Sequence, residues 1–280
     1  MIAKLKGYHK LPLLFLMMLM GSSLFAQEQG EGVSETLFKH ILDGHEWDIF
    51  PFLPTIHLPN NLSVHQLMLI IGVFLASLFF LLLAKKNDMK PKKLTLTMEY
   101  LVLFVRDDMV YPIMGEEKGK KWLPFFITLF VYLLILNILG LIPAFKTATG
   151  NINVAMMMAI PILFITFIDG IRHLGIKKFF TNLYPEGSPF AVGIFVAVLE
   201  FISIFTRSLV LGLRLFANMF AGHMAILSFL VLIFVINPFF GFISVPFAVF
   251  TYTLEVLIAV LQAFVFTLLS CIFIAMASEH

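Results

Sequence analysis

Charge is scarce in this sequence: of 280 residues only 13% are Asp, Glu, Lys or Arg, while 60% are hydrophobic. Soluble domains carry about a quarter charged residues and about half apolar ones, so the composition excludes an ordinary soluble core. Cysteine is scarcer still. The single Cys271 lies inside an apolar run, which excludes an intrachain disulfide and a cysteine-cluster metal site and gives no sign of redox chemistry. No GxxxxGK[ST] loop occurs, so the chain lacks the backbone cradle that holds nucleotide phosphates. Neither an HExxH pair nor a GxSxG elbow is found, which removes the usual signatures of a membrane-embedded hydrolase. A formal net charge of +2 is too small to suggest nucleic acid, and Lys and Arg cluster between apolar runs instead of forming one basic face. The absence of an internal repeat counts against many secondary transporters.

What the chain does have is apolar runs long enough to cross a bilayer, which takes about 20 helical residues. Residues 1–26 have a basic start (Lys4, Lys6, Lys10), an apolar stretch and small residues ending at Ala26. They read as a cleaved secretory signal peptide, with an uncleaved first helix as the alternative. Residues 27–64 are acidic, polar and proline-containing, as expected of an exported, loosely ordered segment. A clean span over 66–84 precedes the loop KKNDMKPKK, and Lys-rich loops stay on the cytoplasmic side. The mature N-terminus is then outside and the C-terminus cytoplasmic.

Residues 93–121 mix apolar and charged positions at helical spacing, which suits a helix lying at the cytoplasmic interface. Spans over 122–143 and 154–168 form a hairpin that returns to a basic loop at Arg172, His173, Lys177 and Lys178. A helical stretch from Pro189 to Ile236 with no internal proline follows, longer than a perpendicular span needs, so strong tilt is expected. After Asn237, Pro238 and Gly241 a last long helix covers 244–277. The expectation is an all-α integral membrane protein with five transmembrane helices, the last two long and strongly tilted, plus one interfacial helix. The domain division is 1–26, 27–64 and a membrane domain over 65–280.

The stretch EFISIFTRSLVLGLRLFANMFAGH (200–223) places Glu200, Arg207, Arg214, Asn218 and His223 in an otherwise apolar helix. An Arg at the bilayer centre costs about 2.5 to 3.5 kcal/mol on insertion scales, so its presence demands a role. At about 100° per residue, Glu200, Arg207, Arg214 and Asn218 fall within about 40° of one another, a single polar stripe, whereas His223 lies opposite Arg214. On the last helix Glu255 and Gln262, seven residues apart, share a face to within about 20°. A carboxylate, an imidazole and amides can accept, hold and pass a proton in the low-dielectric interior. Arg214 stays protonated and serves instead as a fixed positive charge.

Blander roles compete with these. A lone His or Gln in a membrane helix is often only a helix-to-helix hydrogen-bonder, and Glu200 and Arg207 would snorkel to water if they sat near the interface. Small residues around Arg214 (Gly212, Ala217, Ala221, Gly222, Ala225) suit either packing within the chain or close approach of another subunit. Intramembrane charges alone also fit a transporter or channel.

The residues Leu211 to Gly222, LGLRLFANMFAG, resemble the signature of F-type ATP synthase subunit a, the membrane proton-channel subunit. The resemblance extends to LEVLIAVLQAFVFTLL (254–269), NILGLIP (137–143) and Glu200 at the expected upstream spacing, covering roughly residues 65–280. It implies that Arg214 is the essential arginine facing the rotating ring of subunit c. It implies too that Asn218, His223, Glu255 and Gln262 line the half-channel from the outside, with Glu200 near the cytoplasmic exit. Some bacterial members carry Glu where this chain has His223 and His where it has Glu255; the exchange implies two groups sharing one proton-handling task. Implied partners are the subunit c ring, peripheral-stalk subunit b near the first span and the interfacial helix, the rest of the ATP synthase complex and the lipid bilayer. The location implied is the bacterial inner membrane, the coupling ion H⁺, with no cofactor and with ATP chemistry on other subunits.

Overall fold

The computed structural model describes residues 46–47, 56–57, 59, 63–84, 93–142, 145–182, 184, 189–235, 239 and 241–279. The leader expected at 1–26, most of the segment 27–64 and the loop at 85–92 lie outside the described residues. Within 27–64 a short antiparallel pairing joins β1 (Glu46–Trp47) to β2 (Ile56–His57), with Glu46 opposite His57. The other regular elements among the described residues are helical. They are α1 (Val64–Ala84), α2 (Lys93–Phe104), α3 (Tyr111–Leu141), α4 (Ile152–Leu174), α5 (Ile176–Asn182), α6 (Phe190–Val235) and α7 (Gly241–Glu279).

Among the described residues five stretches are long and apolar enough to cross a membrane: Val64–Leu82, Thr95–Leu141, Ile152–Leu174, Phe190–Phe229 and Gly241–Ala277. The chain is an all-α, multi-pass membrane protein. In hydrocarbon a helix satisfies its own backbone groups, which is why apolar runs of this length adopt no other form.

Over residues 93–121 the helix α2 continues through a π-helical turn, Val105–Val110, directly into α3. The only break inside α3 is Gly115, at φ 74° and ψ 170°, a conformation open to glycine because it lacks Cβ. The charged run Glu116 to Lys121 follows that break. The basic loop expected after the third span is instead the last turn of α4, carrying Arg172 and His173, and the short helix α5. Gly175, at φ 81°, makes the reversal between them, its N–H bonding the Ile171 carbonyl at 2.9 Å.

The chain forms two compact units, one comprising residues 43–221 and 255–280, the other containing Gly222–Leu254. The core of the larger unit brings together Phe126, Phe130 and Leu133 of α3, Ala155 and Ile162 of α4, Leu211 and Leu215 of α6, and Ala263, Phe266 and Ile274 of α7. These positions are separated by three, four, seven or eight residues, so they share one face of each helix. Hydroxyls buried there bond their own helix: Thr166 donates to the Ile162 carbonyl and Ser270 to that of Phe266, each at 2.7 Å. In the smaller unit Phe229 and Phe247 lie 5.7 Å apart, joining the end of α6 to the start of α7. The start of α4 is capped by Asn151, whose Oδ1 accepts from the Asn153 N–H at 2.9 Å, satisfying one of the donors a helix start leaves open. Its Nδ2 lies 3.3 Å from Nδ1 of the buried His65 on α1.

Candidate functional site

The charged end of the α6 stripe pairs with itself. Arg207 Nη2 donates to Glu200 Oε1 at 3.2 Å across seven residues, two turns of one helix. Both side chains retain substantial exposure, so each charge is partly compensated within the chain and partly open to its surroundings.

Arg214, two turns further on, has no such partner: among the described residues none gives it a hydrogen bond or an ion pair. It is half-buried, at the boundary of two surfaces. Leu211, Gly212 and Leu215 turn into the bundle, whereas Val210, Leu213, Ala217 and Ala221 are exposed. The inward side is close-fitting. A Cβ on Gly212 would stand 2.9 Å from the Ala155 carbonyl oxygen and 3.1 Å from the Ala159 Cβ, so the missing side chain lets α6 seat on α4. The small residues around Arg214 therefore divide: Gly212 serves packing inside the chain, while Ala217 and Ala221 leave a shallow outward surface beside the guanidinium.

On α7 the buried face runs through Glu255, Ala259, Gln262, Ala263, Phe266, Thr267, Ser270, Cys271 and Ile274. Glu255 and Gln262 share this face, as their seven-residue spacing predicts, and each is only 3% exposed. Gln262 Oε1 accepts from Asn218 Nδ2 at 2.7 Å, tying α7 to α6 one turn after Arg214. The Gln262 Nε2 is buried with no hydrogen-bond partner among the described residues, a donor left available to water or a transient partner. Thus the structure brings Asn218 and Gln262 together and sets Glu255 two turns along the same buried face. Half-buried His223 belongs to the unit containing Gly222–Leu254, and Glu255 to the other.

Asn137 belongs to the NILGLIP motif but is not among the site residues expected from the sequence. It is fully buried on α3, and its Nδ2 donates to the Ala259 carbonyl at 3.1 Å, on α7 between Glu255 and Gln262. The available signal was an amide inside an apolar span, costly unless bonded; the partner, 122 residues away, was not legible. Of these groups the Glu255 carboxyl is the one able to give up or take a proton, the amides can orient water, and the guanidinium holds its charge. Among the described residues no three His, Cys, Asp or Glu side chains group closely enough to hold a metal ion.

Comparison with known proteins covers most of the chain. A family described as ATP synthase A chain matches residues 66–275. The protein named ATP synthase subunit a 2 from Chlorobium luteolum is 37% identical over 271 residues, 91% of this chain and 79% of its own length. ATP synthase subunit a from Chloroherpeton thalassium is 40% identical over 255 residues, 86% of this chain and 76% of that protein. The Myxococcus xanthus subunit a is 41% identical over 181 residues, covering 64% and 59% of the two chains.

Proposed function

The chain belongs to the ATP synthase A chain family, and from that premise we propose that it is the stator subunit that guides protons to and from a rotating ring of subunit c. As a member of that family it is a membrane component of ATP synthase that takes part in proton transport and ATP synthesis. In the proposed mechanism Arg214 faces the ring's mid-membrane carboxylate. The observation that carries the reading is its placement: a permanent cation on an outward face, flanked by exposed Val210, Ala217 and Ala221, with no bond to any described residue. The membrane cost of such a charge, about 2.5 to 3.5 kcal/mol, then has its offset in an anion outside the chain.

Protons from the outer side pass Asn218, His223, Glu255 and Gln262, protonate a ring carboxylate, and leave towards the cytoplasm past Glu200 once the ring has turned. Glu255 and His223 hold protons; Asn218 and Gln262 orient the water that carries them. Arg214 keeps the two half-channels apart and holds the facing carboxylate ionised until it moves on. Each proton crossing 100 mV releases about 2.3 kcal/mol, so a leak past Arg214 would dissipate the gradient directly.

The lengths of α6 and α7, 46 and 39 residues, support strong tilt: at 1.5 Å per residue α6 spans about 69 Å, more than twice the hydrocarbon core of about 30 Å. The same reading places the chain in a bacterial inner membrane, with the mature N-terminus outside and the C-terminus cytoplasmic. Residues 1–26 act as signal peptide, 27–64 as an exported segment and 65–280 as the membrane domain. Subunit b contacts the first span and the 93–121 region, and H⁺ is the coupling ion. Replacing Arg214 tests this. Arg214→Ala is expected to insert and assemble normally yet abolish ATP synthesis driven by a proton gradient; preserved synthesis would reject the mechanism.

A further inference from the structure

The α4–α5 corner carries a charge pattern that no step of proton transfer uses. From Gly170 to Asn182 the sequence GIRHLGIKKFFTN has Arg172, His173, Lys177 and Lys178 and no acid. The adjoining Asp169 is only 5% exposed and lies 3.6 Å from His173. Among the described residues Arg172, Lys177 and Lys178 have no ion pair, and all three are exposed.

Helix α5 packs onto α4 at this corner. Phe179 is 5% exposed and sits so close to α4 that a Cβ on Gly170 would stand 2.7 Å from its ring. Its ring also lies 5.9 Å from that of Phe167. With Phe179 turned inward, the remaining faces sort by chemistry. Ile176 and Phe180, four residues apart and hence on one side, are 65% and 53% exposed, while Lys177 and Lys178 occupy the rest of the exposed arc. Large apolar side chains next to cations that have no ion pair among the described residues, on a short helix at the end of a membrane span, suit the boundary between acyl chains and headgroups.

We propose that the α4–α5 corner is a docking surface for anionic phospholipid, with Ile176 and Phe180 in the acyl boundary and Arg172, Lys177 and Lys178 on the headgroup phosphates. Charge complementarity selects the occupant: a zwitterionic headgroup brings no net charge to three cations that no described residue pairs, whereas an anionic one neutralises them. Each lysine near such a surface contributes about five- to sixfold in affinity, so two together contribute about thirtyfold. Bound lipid would pin the end of α4 that leads into α6.

The test uses the intact ATP synthase complex in nanodiscs containing phosphatidylcholine with either photoreactive phosphatidylglycerol or photoreactive phosphatidylcholine, and maps crosslinks to peptides. Residues 170–182 are expected to label with phosphatidylglycerol well above phosphatidylcholine, and the double variant Lys177→Gln/Lys178→Gln to remove that excess. Both lysines are exposed, so the variant leaves the fold intact. Equal labelling by the two lipids, or labelling unchanged in the double variant, would overturn the proposal. So would a crosslink from Lys177 or Lys178 to an acidic segment of another subunit in delipidated complex.

Discussion

Replacing Gly212 by Ala separates the two roles assigned to the small residues near Arg214. The added methyl would meet the Ala155 carbonyl oxygen at 2.9 Å, where ordinary contact begins at 3.4 Å, so α4 and α6 must part by about 0.5 Å. The obstacle is backbone, which no rotamer change relieves. Overpacking of this kind costs about 1 to 3 kcal/mol, and the displaced element is the turn that carries Arg214. Ala217→Val adds more volume, but on an exposed position, where the effect on stability stays within about 0.5 kcal/mol. Unfolding of the reconstituted subunit, followed alongside ATP synthesis in inverted vesicles, distinguishes them. Gly212→Ala is expected to lower stability by the amount given and to reduce coupling. Ala217→Val is expected to leave stability unchanged and reduce coupling alone, through a crowded rotor contact. A stable Gly212→Ala subunit, or a loss of stability in Ala217→Val, would refute the division.

Two further outcomes follow from the amides. In a double-mutant cycle of Asn218→Leu and Gln262→Leu, measured by unfolding, the coupling energy should be about 0.6 kcal/mol and no more than about 1.7, the average and maximum for interhelical hydrogen bonds in a membrane protein; a value near zero would deny the 2.7 Å contact. Asn137→Leu should lower the stability of the subunit by a similar amount, because it removes the donor to the Ala259 carbonyl and with it the tie between α3 and α7. An unchanged unfolding midpoint would contradict that role.

The long helices were legible where punctuation was strong. The stretch expected at 189–236 is observed as Phe190–Val235, because no proline interrupts it and polar, glycine and proline residues bracket it. The start expected for the last helix at 244 moves to Gly241. Pro246 lacks only one N–H in the first turns and is tolerated there, as prolines are within membrane helices; Pro124 and Pro161 likewise lie inside α3 and α4. Charge pattern misled after the third span, where the basic residues expected in a loop lie on helices. Polar composition marks exposure to an interface but not whether the chain stays helical, and single glycines, Gly115 and Gly175, set the turns. At the site, spacing along one helix predicted that Glu255 and Gln262 share a face. The partners on other helices, Asn218 for Gln262 and Asn137 for Ala259, depend on how helices pack and left no local trace.

Cysteine crosslinking from the outward face of α6 tests the central claim most directly. With the buried Cys271 replaced, cysteines introduced at the exposed positions Val210 and Ala217 are expected to form specific crosslinks to the ring-forming proteolipid in native membranes. No crosslink from either position would contradict the placement of Arg214 against the rotor.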